Sequence, residues 1–223
     1  MQNSVMPNAA VELLEKNRPK QQRAIRTYEA ILTAASELLC EVGLEKISTN
    51  NIAERAGVTV PALYRYFPNK YAVLNALGSR LVAALNNSCE SWRSQHLRHS
   101  ACGPAREDFR ALLEDLYAIV RDFPGGLEVL HAMQTMSPLK GVRMAGFWSV
   151  AEAFAEDWSS GSQLPLSEAS LHRLRMAVET GFGCVLIALE DNRLEPGFVL
   201  AEGAATLDLQ LHMVAAQARA EMN

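Results

Sequence analysis

The stretch that most constrains this chain runs from Ile47 to Leu74, ISTNNIAERAGVTVPALYRYFPNKYAVL, where helix-start and helix-stop signals follow one another at short intervals. Ser48 or Thr49 can cap a helix by accepting from a free backbone N–H, and Ile52, Ala53 and Ala56 give that helix an apolar side. Gly57 stands where a helix ends in a left-handed residue, a conformation a side chain disfavours. Thr59 can cap the next helix. Pro61 fits only in that helix's first turn, where its missing N–H would have had no partner. Leu63 and Phe67 fall four apart and share an inward face, while Pro68 stops the helix and Asn69 can cap a third one. Lys70 then sits in a first turn whose free N–H groups can meet a phosphate. Two short helices held at an angle by a glycine turn fit the geometry that sets one helix in a DNA major groove.

A net charge of −4 argues against a nucleic-acid partner until it is divided along the chain. From Lys16 to Arg80 ten lysines and arginines face five glutamates, a net +5, whereas Leu81 onward carries −7. The pattern is a basic head on an acidic body. Its 223 residues suffice for one large or two small domains. No apolar run reaches the roughly 20 residues that span a bilayer. The amino terminus lacks the apolar core and small-residue cleavage site of a signal peptide. Cys40, Cys89, Cys102 and Cys184 are scattered without a C-x-x-C pair, which suits reduced thiols. The expectation is a cytoplasmic protein that does not enter membranes.

Residues 1–22 form a flexible arm ending in a basic stretch that includes Arg18 and Lys20. Apolar positions 25, 28, 32, 35, 39 and 42 predict an amphipathic helix ended by Gly43, with Cys40 packed near its apolar side. After Asn69, Leu74, Leu77, Leu81 and Leu85 continue helical spacing and carry the head into the body, a candidate lever.

The run from Arg23 to Leu81, with AILTAASELLCEVGLEKISTNNIAERAGVTVPALYRYFPNKYAVL at its centre, resembles the DNA-binding domain of the TetR family of transcriptional regulators. The resemblance covers about a quarter of the chain and rests on an ordered set of positions. It implies an all-α homodimer of about nine helices per chain: a helix-turn-helix DNA-binding domain at 23–70 and a helical effector-binding and dimerisation domain at 71–223. By the same resemblance, Thr49 and Asn50 match phosphate-contacting positions. Thr59, Val60, Pro61, Ala62, Tyr64 and Tyr66 match groove-facing positions, and Lys70 matches a backbone-contacting lysine. Two positions depart from the family pattern: Arg65 stands where an aromatic residue is common, and Tyr71 where an acidic one is common. Val60, Pro61 and Ala62 cannot make the bidentate bonds by which Arg, Asn or Gln read bases, so methyl contacts and DNA shape carry much of the readout.

In the body, Phe109, Leu112, Leu113, Leu116, Ile119 and Val120 mark one helix, and Leu127, Leu130, Met133 and Met136 a second that ends by Pro138. A third, from about Val142 to Trp158, is rich in aromatic and Met residues. Core packing explains such a set. The functional alternative is an apolar effector pocket lined by Leu130, His131, Met133, Gln134, Met144, Phe147, Trp148 and Phe154, with Glu128 a further polar group. Ser160–Glu168 reads as a loop. Ala177, Gly181, Cys184 and Ala188 form a ridge of small residues on the next helix; with Leu207 and Leu211 of the last helix they are the candidate dimer interface.

The segment CESWRSQHLRHSAC brings His96 and His99 between two thiols, but the spacing matches no familiar zinc pattern, and no metal or cofactor is expected. G-x-S-x-G, H-E-x-x-H and phosphate-cradling glycine loops are all missing, so the chain does not read as an enzyme. An architectural DNA binder without an effector is the remaining alternative. The leading expectation is a repressor that binds a (pseudo)palindromic operator as a homodimer and is released by a small, largely apolar ligand.

Overall fold

Helices account for every regular element among the residues that the structure, a computed structural model, describes: 11–17, 19–98, 103–162 and 166–220. In order they are α1 (Gln22–Lys46), α2 (Thr49–Arg55), α3 (Val60–Tyr64), α4 (Lys70–His96), α5 (Arg106–Asp122), α6 (Gly126–Thr135), α7 (Ser137–Ser162), α8 (Glu168–Glu190) and α9 (Pro196–Ala220). The chain divides into a head, Met1–Ser79 with Glu128–Gly141, and a body, Arg80–Leu127 with Val142–Asn223. The head thus takes in the opening turns of α4, most of α6 and the start of α7, more than the 23–70 expected from sequence.

In the head, α1 buries Tyr28, Ile31, Leu32, Ala35, Leu38 and Leu39. Cys40 lies a further 100° round the helix and is exposed, contrary to the packed position expected for it. Gly43, at φ 74°, ψ 176°, breaks the helical path within α1, a conformation that a residue with a side chain would hold at a cost. The apolar centre contains Ile52, Leu63 and Phe67, all fully buried, with Tyr28 stacked on Phe67 at 5.1 Å. Met133 of α6 lies against Gly78 of α4, where an added Cβ would come within 2.7 Å of its sulfur.

Residues 12–17 of the arm are tied to the head. Asn69 and Asn75 donate to the carbonyls of Glu12 and Leu13, at 2.9 and 3.1 Å. Lys16 N–H donates to Tyr66 O at 2.8 Å, and the Asn17 amide to Arg65 O at 3.2 Å. Four hydrogen bonds replace the free tail expected for this stretch; Arg18 lies outside the described residues.

The body is built on α5, α8 and α9 packed against one another. Gly203 permits the closest approach: a Cβ there would meet the Cys184 side chain at 2.9 Å and Leu113 at 3.0 Å. Trp92 donates from Nε1 to Asp108 O at 2.7 Å and lies 5.1 Å from Phe109 and 5.8 Å from Phe154. Beside it a buried ion pair joins Arg93 to Asp157 at 3.1 Å, with Arg98 bonding the same carboxylate at 2.6 Å.

Local signals account for most element boundaries. Ser167 caps α8 by accepting from Ser170 N–H, and the Glu195 carboxylate accepts from Gly197 and Phe198 N–H at the start of α9. Helix α7 begins at Ser137, earlier than the expected Val142, because Pro138 occupies its first turn, where a proline is tolerated. No helix among the described residues is long and apolar enough to cross a membrane.

Candidate nucleic-acid interface

The helix-turn-helix is assembled by its caps. Ser48, one of the two candidates, caps α2 through a reciprocal pair: its hydroxyl accepts from Asn51 N–H at 3.3 Å, while its own N–H donates to Asn51 Oδ1 at 2.7 Å. Thr49 is thereby left at the first helical position with its hydroxyl available. Gly57 takes φ 65° and reverses the chain, and Val58 N–H closes back on Ala53 O at 3.0 Å. Thr59 then caps α3 by accepting from Ala62 N–H at 3.3 Å, with Pro61 in the first turn. Fixing the start of so short a helix matters, because five residues form few internal hydrogen bonds.

With Leu63 buried against the core, α3 turns Thr59, Pro61 and Tyr64 outward, and Tyr64 is 41% exposed. Val60 and Ala62 are half-buried. Asn50 is exposed and Thr49 half-buried at the start of α2. The two helices meet at one polar contact: Thr49 Oγ1 and Tyr64 OH are 3.2 Å apart. That bond sets the phenol beside the α2 N-terminus, where backbone N–H groups and helix dipole favour a phosphate.

Two expected contact residues are placed otherwise. Tyr66 is only 7% exposed, its ring edge-on to Tyr28 at 6.1 Å. Its ring is therefore core, because it follows Leu63 by three residues and shares that helix face. Lys70 is half-buried and donates from Nζ to Ile47 O at 3.0 Å, bridging the start of α4 to the α1–α2 connection. An ammonium has three N–H donors, so this bond leaves capacity for a phosphate. Arg65 is exposed. Arg55 is instead engaged by α1, paired with Glu41 at 2.5 Å and Glu37 at 3.4 Å. The Arg55 hydrogen bond lowers the Glu41 carboxyl from its ordinary range.

The candidate effector set does not gather in one unit. Leu130, His131, Met133 and Gln134 belong to the head, where Leu130 and Met133 are buried. Met144, Phe147, Trp148 and Phe154 belong to the body. Phe154 is taken up by packing against the buried Ala151, Leu174 and Val214. Phe147 and Trp148 instead lie beside arginines, a neighbourhood that helical spacing within α7 could not reveal.

The ridge of small residues also turns inward. Gly181 faces Leu207 and Leu113, Cys184 faces Gly203, and Gly181, Ala188 and Leu207 are buried within the chain. Leu211 packs against the Ala151–Leu174–Val214 cluster, and Ala177 is half-buried. Close intramolecular packing therefore explains the ridge. Large apolar residues are instead exposed on α8 at Met176 and Ile187, and on α9 at Phe198, Leu209 and Met213.

His99 and Cys102 lie outside the described residues, and His96 is paired with Asp108 at 3.3 Å. Among the described residues no group of three or more His, Cys, Asp or Glu could hold a metal ion.

A capped helix-turn-helix with a hydroxyl-bearing outer face, on an otherwise all-α chain, defines a nucleic-acid-binding head joined to a helical body. The family model of "Bacterial regulatory proteins, tetR family" matches residues 31–77. Tetracycline repressor protein class C of Escherichia coli is 40% identical over 79 residues, 33% of this chain and 36% of the repressor. The match thus spans about a third of the relative's length. Nucleoid occlusion factor SlmA of Glaesserella parasuis is 26% identical over 136 residues, 60% of this chain and 64% of that protein. A TetR-family transcriptional regulator from Streptomyces coelicolor superposes with TM-score 0.56 at 26% identity, covering 86% of this chain and 99% of that one. In the SmeT–triclosan complex the fold is also shared, with TM-score 0.59 at 23% identity over 86% of this chain and 90% of that one. Residues 31–77 thus match the DNA-binding domain of TetR-family regulators, and the chain shares the all-α fold of solved TetR-family regulators.

Proposed function

We propose that the chain is a transcriptional repressor that binds a (pseudo)palindromic operator as a homodimer and leaves it when a small ligand binds the body. The observation that carries the reading is the outward face of α3, where Thr59, Pro61 and Tyr64 are presented and Tyr64 is joined to Thr49 at the α2 N-terminus. With Asn50 and Lys70 these groups suit phosphate positioning better than base reading, so specificity would draw on methyl contacts and DNA shape. Tyr66 we leave out of the contact set because its ring is buried.

Dimerisation would use the exposed apolar residues of α8 and α9. Met176, Thr180, Gly183 and Ile187 recur at spacings of three and four on α8, and a side chain at Gly183 would meet no atom within 4 Å. Phe198, Leu209 and Met213 continue the apolar surface on α9. Two such helices from each of two chains make a four-helix interface. The SmeT–triclosan neighbour supports a small effector by likeness of fold.

Binding-site selection with purified protein, followed by anisotropy at fixed moderate salt, tests this reading. Wild type should select a short inverted repeat, and Tyr64→Ala should weaken binding about tenfold, as the loss of a hydrogen-bonding anchor implies. Leu209→Asp should sediment as a monomer and lose cooperative operator binding. Undiminished affinity in Tyr64→Ala would remove α3 from the interface. The similarity to a protein named as a nucleoid occlusion factor favours a second reading, an architectural DNA binder; selection of dispersed sites with no ligand response would support it.

A further inference from the structure

Within the body, α7 and α8 bring two arginines onto one carboxylate, Glu179. Arg143 Nη1 lies 3.1 Å from Glu179 Oε1, and Arg175 Nη2 lies 2.7 Å from Glu179 Oε2. Arg175 is 8% exposed, and the Nε atoms of both arginines are buried without a hydrogen-bond partner. Both guanidiniums lie over the Phe147 ring, at 5.2 and 5.0 Å from its centroid, and Arg175 is 5.9 Å from that of Trp148. Near them is the Met144 sulfur, 3.7 Å from Arg143 Nη2 and 4.0 Å from Arg175 Nη2.

The two guanidiniums share one carboxylate, a net positive charge among the three groups, and keep unused Nε donors beside the half-buried Phe147 and Trp148 rings. A buried guanidinium without its full set of partners is costly, and the cost falls most when a planar anion accepts from it. The thioether is a weak acceptor on a side chain with three rotatable bonds, so it fills the space at little cost to an incoming group. A cation would meet two guanidiniums, and a dianion would exceed the single free charge.

We propose that this cluster is the polar end of an effector site, and that the effector is an organic monoanion: a carboxylate on an aromatic or aliphatic body. The inference rests on the reading of the body as a ligand-binding unit. In place of His131, Gln134 and Glu128, the polar groups that the sequence suggests, it assigns Arg143 and Arg175. The carboxylate would take the free guanidinium donors after Met144 swings aside, and its apolar part would lie along Phe147 and Trp148.

Calorimetric titration of the full chain at pH 7.5 with benzoate, 2-naphthoate and octanoate, and with neutral 2-naphthamide, tests this. At least one carboxylate should bind, and 2-naphthoate should exceed its amide about tenfold, the worth of a charge-assisted hydrogen bond. Arg143→Gln, at a partly exposed position, and Arg175→Met should each lose about that factor. Glu179→Gln should bind a few-fold more tightly, because it frees both guanidiniums. That opposite sign keeps the proposal testable if Arg175→Met fails to fold. Binding of none of the three carboxylates, equal binding of amide and acid, or wild-type affinity in folded Arg143→Gln would each overturn it. Carboxylate binding by a chain that selects no DNA would uphold the ligand class and remove the operator reading instead.

Discussion

Head and body differ in how far apart along the chain their defining contacts lie. The helix-turn-helix is written within about thirty residues: Ser48 to Asn51, Val58 to Ala53 and Thr59 to Ala62 are contacts of three to five positions. In the body, Gly203 meets Cys184 and Leu113, and Arg143 meets Glu179, across 19 to 90 positions. Short-range signals fix backbone geometry with little help, whereas long-range ones depend on which helix faces which. The head should therefore tolerate surface change and fail at its caps and core; the body should fail where its helices touch.

The largest effect should come from Phe67→Ala. This residue is fully buried beneath α3 and stacked on Tyr28, and such truncations cost about 3–5 kcal/mol. Urea denaturation should show the head's transition shifted to low denaturant while the body's helical signal persists. A single transition moving as a whole would show that the two units do not unfold separately.

Next comes a pH effect confined to the body. Burial pushes the Cys89 thiol up to about 11 from 9.0, opposed by the charge of Arg93. The folded chain therefore keeps a proton that the unfolded chain loses above pH 9, so this contribution to stability is present below pH 9 and lost as pH rises toward 11. The rise is worth at most roughly 2–3 kcal/mol. The difference between wild type and Cys89→Ala, followed from pH 8 to 10.5, isolates it; a flat difference would refute the burial argument. Exposed Cys40 in the head should alkylate ahead of Cys89 at pH 8 in the native protein.

Gly203→Val should cost about 1–3 kcal/mol by forcing α9 off Cys184 and Leu113. The same change at Gly183, where nothing lies within 4 Å, should cost less in the monomer. The comparison would be blunted if both destabilised equally by thermal melts.

These contrasts explain what the sequence made legible. Helix identities, the Gly57 reversal, the Asn69 cap and the stripe of Leu74, Leu77, Leu81 and Leu85 follow from propensity and spacing alone. Tyr66 reads as groove-facing by resemblance, whereas its spacing of three from Leu63 and the neighbouring Tyr28 ring make it core. The ridge at Ala177–Ala188 reads from sequence as a surface for a second chain, whereas Gly181 and Cys184 meet Leu207 and Gly203 of α9 in the same chain, a pairing that spacing within one helix does not decide. Arg143 and Arg175 sit 32 positions apart on different helices, so no spacing rule joins them.

The smallest expected effects separate folding from reading within the head itself. Thr59→Ala removes the α3 cap and should cost about 1 kcal/mol of stability, with DNA affinity falling in parallel. Tyr64→Phe removes only the hydroxyl shared with Thr49 on an exposed surface, so stability should change by less than about 0.5 kcal/mol. On the proposed contact between the Tyr64 phenol and a phosphate, its operator affinity should nevertheless fall a few-fold. Thermal melts beside anisotropy titrations on the selected operator decide the matter. Equal losses in both measurements for Tyr64→Phe would mean that the Thr49–Tyr64 bond braces the two helices; loss of affinity alone would mean that it aims the phenol at DNA.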